Sequence, residues 1–166
     1  IHLETSSVLM RQHTLHFVKQ HPAWQPCRTT NAAPVNSLVN IAAGRVVLGR
    51  SITEPIYGWD NEYGHHEADV PAFQTARHLV SNGEFLEFVN AGGYTNAKYW
   101  DEEGCSWQQF SQAAHPTFWV RAPHEKEGWA LRLLTEEVSM PWDWPVETNY
   151  HEARAFCRWK AEQTGQ

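Results

Sequence analysis

Two helix starts frame the part of this chain that most limits its fold. Ser81 stands three residues before Glu84, and Asn149 three before Glu152. That is the spacing of a capping box, in which the cap side chain and the third helical residue exchange hydrogen bonds. In "SNGEFLEFVNAGGY", Phe85, Leu86, Phe88 and Val89 form the apolar face, and Gly92 and Gly93 end the helix. In the second helix Ala153, Phe156, Cys157 and Lys160 follow at helical spacing, and Gly165 stops it. Between the two lie "YWDEEGCSWQQF", "HPTFW" and "MPWDWPVE", which hold no sustained period. Trp, Pro and Gly at this density predict packed irregular loops on a small α+β scaffold. The chain has nine Trp, seven Phe and five Tyr. Such residues either fill a core or line an aromatic binding surface, and the core is their ordinary place.

Residues Leu3 to about Phe17 can form a helix. Leu3, Met10 and Phe17 fall on one side of it, and Val8 and Leu15 nearly opposite. Apolar residues on two sides suit a helix buried between neighbours in a bundle, and those neighbours are not in this chain. "KQHPAWQPCRTTNAAPVNS" carries Pro22, Pro26 and Pro34, and reads as an inter-domain linker or a surface-hugging connection. "LVNIAAGRVVLGR" is strand-like, with Gly44 at a turn or bulge. "EADVPAFQTARHLV" reads as extended, with Val70, Phe73 and Val80 as candidate core residues.

Composition excludes several functions. The 42% hydrophobic and 19% charged residues are those of a folded domain. A net charge of -6 with the signs interspersed excludes nucleic acid as the main partner, because phosphate binding needs a concentrated basic surface. No apolar run is long enough for a membrane span. Cys27, Cys105 and Cys157 are odd in number and widely spaced, which is neither a disulfide framework nor a zinc spacing. A reducing, cytoplasmic setting is the expectation.

Candidate site residues are few. His2 lies in a helix, where a metal site commonly uses histidines at i and i+4. Glu4 lies two residues on, about 200° round the helix, and suits a packing or outer-sphere role better than the same ion. Adjacent His65 and His66 with Glu67 rarely converge on one ion. Asp60, Asn61 and Glu62 either bind a cation or satisfy a turn. Trp142, Asp143 and Trp144 either line a cleft or pack at a domain junction. Cys157 is expected on an apolar face and inert.

"IHLETSSVLMRQ" resembles the end of an H-x3-H-x-E motif in the iron-dependent sulfoxide synthases of thiol-histidine biosynthesis. "YGWDNEYG", "LVSNGEFLEFVNAGGY", "YW" with "EEG", and "MPWDWPVETNYHEARAFCRWK" resemble the second domain of the same family. The chain departs from the family pattern at Cys105 and at His13. The resemblance implies an internal fragment. Residues 1–18 would end a DinB-like four-helix iron-binding bundle, and 19–37 would be a linker. Residues 38–166 would be the N-terminal part of a formylglycine-generating-enzyme, or sulfatase-modifying-factor, domain with a C-type-lectin-like fold. It implies Fe(II) held by three histidines, with His2 one of them and the others upstream. It also implies O2 and small-molecule substrates, with neither nucleic acid nor membrane as partner.

Two branches of that family compete. One joins histidine and cysteine into 5-histidylcysteine sulfoxide on the way to ovothiol. The other acts on trimethylhistidine on the way to ergothioneine. "ETSSVL", "YGWDNEYG" and "MPWDWPVE" resemble the ovothiol branch more. A non-catalytic lectin-like binding module is the reading from another class.

Overall fold

The computed structural model describes residues 2–165. In chain order the elements are α1 (His2–Arg11), β1 (Leu38–Ile41), β2 (Gly44–Leu48), β3 (His66–Val70) and β4 (Phe73–Ala76). They continue with α2 (Asn82–Asn90), α3 (Glu102–Ser111), β5 (Trp119–Arg121), β6 (Trp129–Arg132), β7 (Glu137–Ser139) and α4 (Tyr150–Thr164). The chain forms two units. Among the described residues, unit 1 comprises 2–35 and 79–165, and unit 2 comprises 36–78.

Unit 1 has an α+β core of aromatics. Phe85, Phe88, Tyr94, Tyr99, Trp100, Trp119, Trp129, Trp142, Phe156 and Trp159 are buried together. Filling the core is thus the main use of the tryptophans here. α2 and α4 supply Phe85, Phe88, Phe156 and Trp159, and the antiparallel sheet β5-β6-β7 supplies Trp119, Trp129 and Leu131. Both capping boxes form as the sequence predicts, at Ser81 with Glu84 and at Asn149 with Glu152. Gly165 ends α4 in the left-handed region, at φ 70°.

The second capping glutamate does more than cap. Glu152 is 2% exposed, and its carboxylate accepts from the Asn149 N–H at 2.9 Å and from the Tyr94 hydroxyl at 2.5 Å. Burial raises the pKa of both Glu152 and Tyr94. The buried face of α4 is therefore Glu152, Ala155, Phe156 and Trp159, while Ala153 and Cys157 are exposed. This corrects the predicted face: only Phe156 of that set is buried. The helix is turned so that Glu152 reaches Tyr94, a partner 58 positions away that no local pattern shows.

α3 lies in a stretch whose sequence suggests irregular loop. Asp101 caps it, accepting from the Gly104 N–H at 2.8 Å, and Glu102 and Glu103 sit in its first turn, where the helix dipole favours acids. The N-terminal helix is also shorter than expected. α1 ends at Arg11, and a separate 3-10 turn covers Leu15–Phe17. Gln12 and His13 donate to the carbonyls of Leu9 and Met10, which tightens and closes the last turn.

Unit 2 consists of two antiparallel two-stranded ladders. β1 pairs with β4, from Leu38 opposite Ala76 to Ile41 opposite Phe73. β2 pairs with β3, from Gly44 opposite Val70 to Leu48 opposite His66. Phe73 is exposed rather than core, because a two-stranded ribbon has no second layer to bury it. Gly49 is required where it stands. Its φ is +103°, and a Cβ there would lie 2.3 Å from the Gly64 carbonyl oxygen.

Candidate functional site

α1 carries the metal-ligand candidate. His2 and Glu4 are both exposed, as are Leu3, at 88%, and the other apolar side chains of the helix. At about 1.5 Å rise per residue, His2 stands about 14 Å along the axis from Arg11.

The other end of α1 is held firmly. Arg11 donates through Nε and Nη2 to the carbonyl of Arg132, at 3.1 and 2.7 Å. Arg132 answers, donating through Nε to the Arg11 carbonyl at 3.3 Å and through Nη2 to the His13 carbonyl at 3.0 Å. Those carbonyls close the C-terminal end of α1, where a cation is electrostatically favoured. The Arg11 guanidinium also lies 3.6 Å over the Phe118 ring and 2.5 Å from the Glu147 carboxylate. Beside this cluster is a pocket of about 290 Å³ walled by Leu131, Leu133, Trp144 and Pro145. No periodicity announces the Arg11–Arg132 pair, since its members are 121 positions apart.

The connection after α1 hugs unit 1. Gln20 and Trp24 both donate to Glu136, at 3.1 Å each. Thr30 donates to Asp143 through its N–H at 2.7 Å and its hydroxyl at 2.8 Å, and the Thr29 hydroxyl donates to the same carboxylate. Trp144 Nε1 donates to the Arg28 carbonyl at 3.2 Å. In "MPWDWPVE", Trp142 therefore packs in the core, and Asp143 and Trp144 tie down residues 28–30.

Burial pushes the Asp143 carboxyl up, but the hydrogen bonds from Thr29 and Thr30 outweigh it, and the pKa falls to about 2. A pKa lowered on folding stabilises above the ordinary carboxylate range, and that contribution is lost as pH falls through about 2. Asp143→Asn should loosen this tether even at neutral pH. Amide exchange over residues 28–31, followed by mass spectrometry, is expected to quicken roughly fivefold, as for loss of about 1 kcal/mol of local hydrogen bonding. Unchanged exchange there would refute the tether.

The remaining candidates make local contacts. His65 Nε2 and Glu67 Oε1 are 2.9 Å apart, and Glu67 also pairs with Arg45 at 3.0 Å. Asp60–Glu62 form a 3-10 turn in which the Asp60 carboxylate accepts from the Asn61 N–H, and Glu62 lies 3.5 Å from Arg50. The three cysteines are free, and Cys157 is exposed. Among the described residues no three His, Cys, Asp or Glu side chains gather as a metal site. His2 alone is not such a site, and the described residues do not bring a set of donors round it that would hold an iron ion. No helix among the described residues is long and apolar enough to cross a membrane.

Known proteins resemble this chain over most of its length. The Sulfatase-modifying factor enzyme 1-like domain, FGE-sulfatase, matches residues 25–163. Hercynine oxygenase of Mycobacterium tuberculosis is 36% identical over 115 residues, covering 68% of this chain and 26% of that protein. Hercynine oxygenase of Mycolicibacterium smegmatis is 34% identical over 124 residues, covering 73% of this chain and 27% of that protein. The corresponding protein of Mycolicibacterium thermoresistibile is 33% identical over 114 residues, covering 68% and 24%. The matched segment thus spans about a quarter of each relative.

Proposed function

We propose, from the premise that this chain belongs to the sulfatase-modifying factor enzyme 1-like domain family, that it is part of a non-haem Fe(II)- and O2-dependent sulfoxide synthase. The observation that carries the reading is the 36% identity, over 115 residues, to a protein named for oxygenating hercynine, a histidine derivative. The substrates we propose are histidine and cysteine, and the product is 5-histidylcysteine sulfoxide. "ETSSVL", "YGWDNEYG" and "MPWDWPVE" support that pair over trimethylhistidine. The second reading, a hercynine-type enzyme, is favoured by the names of the relatives. The balance is the same for both. An imidazole C–H and a thiol S–H are lost and a C–S bond forms. One oxygen atom of O2 ends in the sulfoxide, and the other leaves as water with the two hydrogens.

In this reading Fe(II), when bound, supplies the activation of O2 and thiol, and His2 is one of its ligands. The division into a DinB-like end (1–18), a linker (19–37) and a C-type-lectin-like part (38–166) belongs to the same proposal, as does a cytoplasmic location. The exposed position of His2 on α1 is compatible with a donor set completed by other residues. The segment 1–166 alone is expected neither to retain iron nor to turn over. Stoichiometric Fe(II) measured in the purified segment after desalting would overturn that.

The decisive experiment loads the complete gene product with Fe(II) without oxygen, then adds O2, histidine and cysteine. Mass spectrometry is expected to find the histidine–cysteine sulfoxide. An adduct formed only from trimethylhistidine would move the protein to the hercynine branch. No adduct from either would defeat both readings and leave a binding module.

A further inference from the structure

We propose that Arg11 and Arg132 form a reciprocal joint that fixes the direction of α1, and so act as positioning residues for the His2 imidazole. The importance of the joint for catalysis rests on the function proposed above; the joint itself does not.

Three observations support it. First, the bonding is mutual and two-pronged. The Arg11 fork grips one carbonyl of β6, and the Arg132 fork grips two carbonyls at the end of α1. Two planar guanidiniums holding each other's backbone restrain rotation as well as separation, which a single ammonium could not do. Second, Arg132 is 6% exposed, and its Nη1 is buried with no hydrogen-bond partner among the described residues. A buried cation with a spare donor is costly, and an apolar side chain of similar length would fill the space but leave the Arg11 and His13 carbonyls without these donors. What an apolar replacement cannot supply is the directional grip on α1. Third, the joint is braced on two sides. The Phe118 ring lies beneath Arg11, and Glu147, just before α4, pairs with its guanidinium.

The lever arm makes the joint matter. With His2 about 14 Å from the pivot, a 10° swing of α1 displaces the imidazole by about 2.5 Å. A displacement of that size would carry a side chain of α1 away from any site it helps to complete, and even smaller ones cost rate when geometry carries the reaction.

The test uses the complete gene product with spin labels at Ser6 on α1 and Gln163 on α4, after every other cysteine of that product, Cys27, Cys105 and Cys157 among them, is changed to serine. Pulsed electron-spin distance measurement on the parent is expected to give one narrow distribution. Arg132→Met should broaden or shift it by several ångström, and Arg132→Lys should recover only part of the narrowing. The same variant without labels should lose about tenfold in kcat for sulfoxide formation while KM for histidine and cysteine stays within twofold. A general loss of fold would move both. Glu147→Gln, at an exposed brace, should give a smaller broadening and serves if Arg132→Met does not fold. Unchanged distributions in Arg132→Met, or in Glu147→Gln should Arg132→Met not fold, overturn the joint whatever the activity. A distribution that is narrow in the parent and broadened by Arg132→Met, in a protein whose parent makes no sulfoxide, would uphold the joint and defeat the functional reading.

Discussion

Replacing Phe88 by alanine is expected to remove about 4 kcal/mol from the stability of unit 1. The ring is 0% exposed and lies within about one ring-width of Phe85, Tyr94, Tyr99, Phe156 and Trp159. Those five rings come from α2, from the loop after it and from α4, so the cavity would open at the meeting point of three segments. The site cannot collapse easily. Gly93 sits so close that a Cβ on it would fall 2.2 Å from Phe88 Cε2, so backbone already presses on one side of the ring. Rigid walls keep a void open, and an open void adds its own cost to the lost transfer energy. Urea unfolding followed by tryptophan fluorescence is the measurement. A loss under about 1 kcal/mol would mean that the aromatic cluster repacks freely and is not the jigsaw described here.

A similar loss, about 3 kcal/mol, is expected for Asn82→Ala, for a different reason. Asn82 is 1% exposed and joins three segments. Its Oδ1 accepts from Trp119 Nε1 at 3.1 Å, and its Nδ2 donates to the Pro141 carbonyl at 3.0 Å. Alanine leaves a buried indole N–H and a buried carbonyl without these partners, each costing about 1–3 kcal/mol. The main-chain bond from the Asn82 N–H to the Trp144 carbonyl, 2.8 Å, survives the change. Trp119→Phe removes one of the stranded groups. In a double-mutant cycle the pair should therefore couple by at least about 1 kcal/mol. Additive losses would show that the two side chains do not depend on each other.

These two residues also mark how far the sequence could be read. Phe88 was legible because burial on one face of a capped helix is a local, periodic pattern. Asn82 was not, because a polar residue at the start of a helix looks solvated until Trp119 and Pro141 are brought to it from far along the chain. The same limit explains α4, whose start and end were legible but whose buried face was set by Tyr94. It explains α3, where Gly104 reads as a breaker although Asp101 caps its amide. At the candidate site His2 came into view through the motif "IHLETSSVLMRQ", but the Arg11–Arg132 pair has no motif: it is made by tertiary contact alone.

The way unit 2 begins and ends has a consequence for folding order. Asn36 and His78 exchange two hydrogen bonds, the Asn36 Nδ2–H with the His78 carbonyl at 3.1 Å and the His78 N–H with Asn36 Oδ1 at 2.9 Å. The Arg77 N–H donates to the Ser37 carbonyl at 3.0 Å just inside them. The chain on either side of this ribbon is thus brought to one place by the ribbon's own zipper. A flexible excursion of the same length would leave residues 35 and 79 to find each other against a closure entropy that grows with each added residue. Once β1 and β4 have paired, that search is over. The long detour then behaves kinetically like a short turn, and the contacts across it count as local ones for the rate at which the tryptophan core assembles.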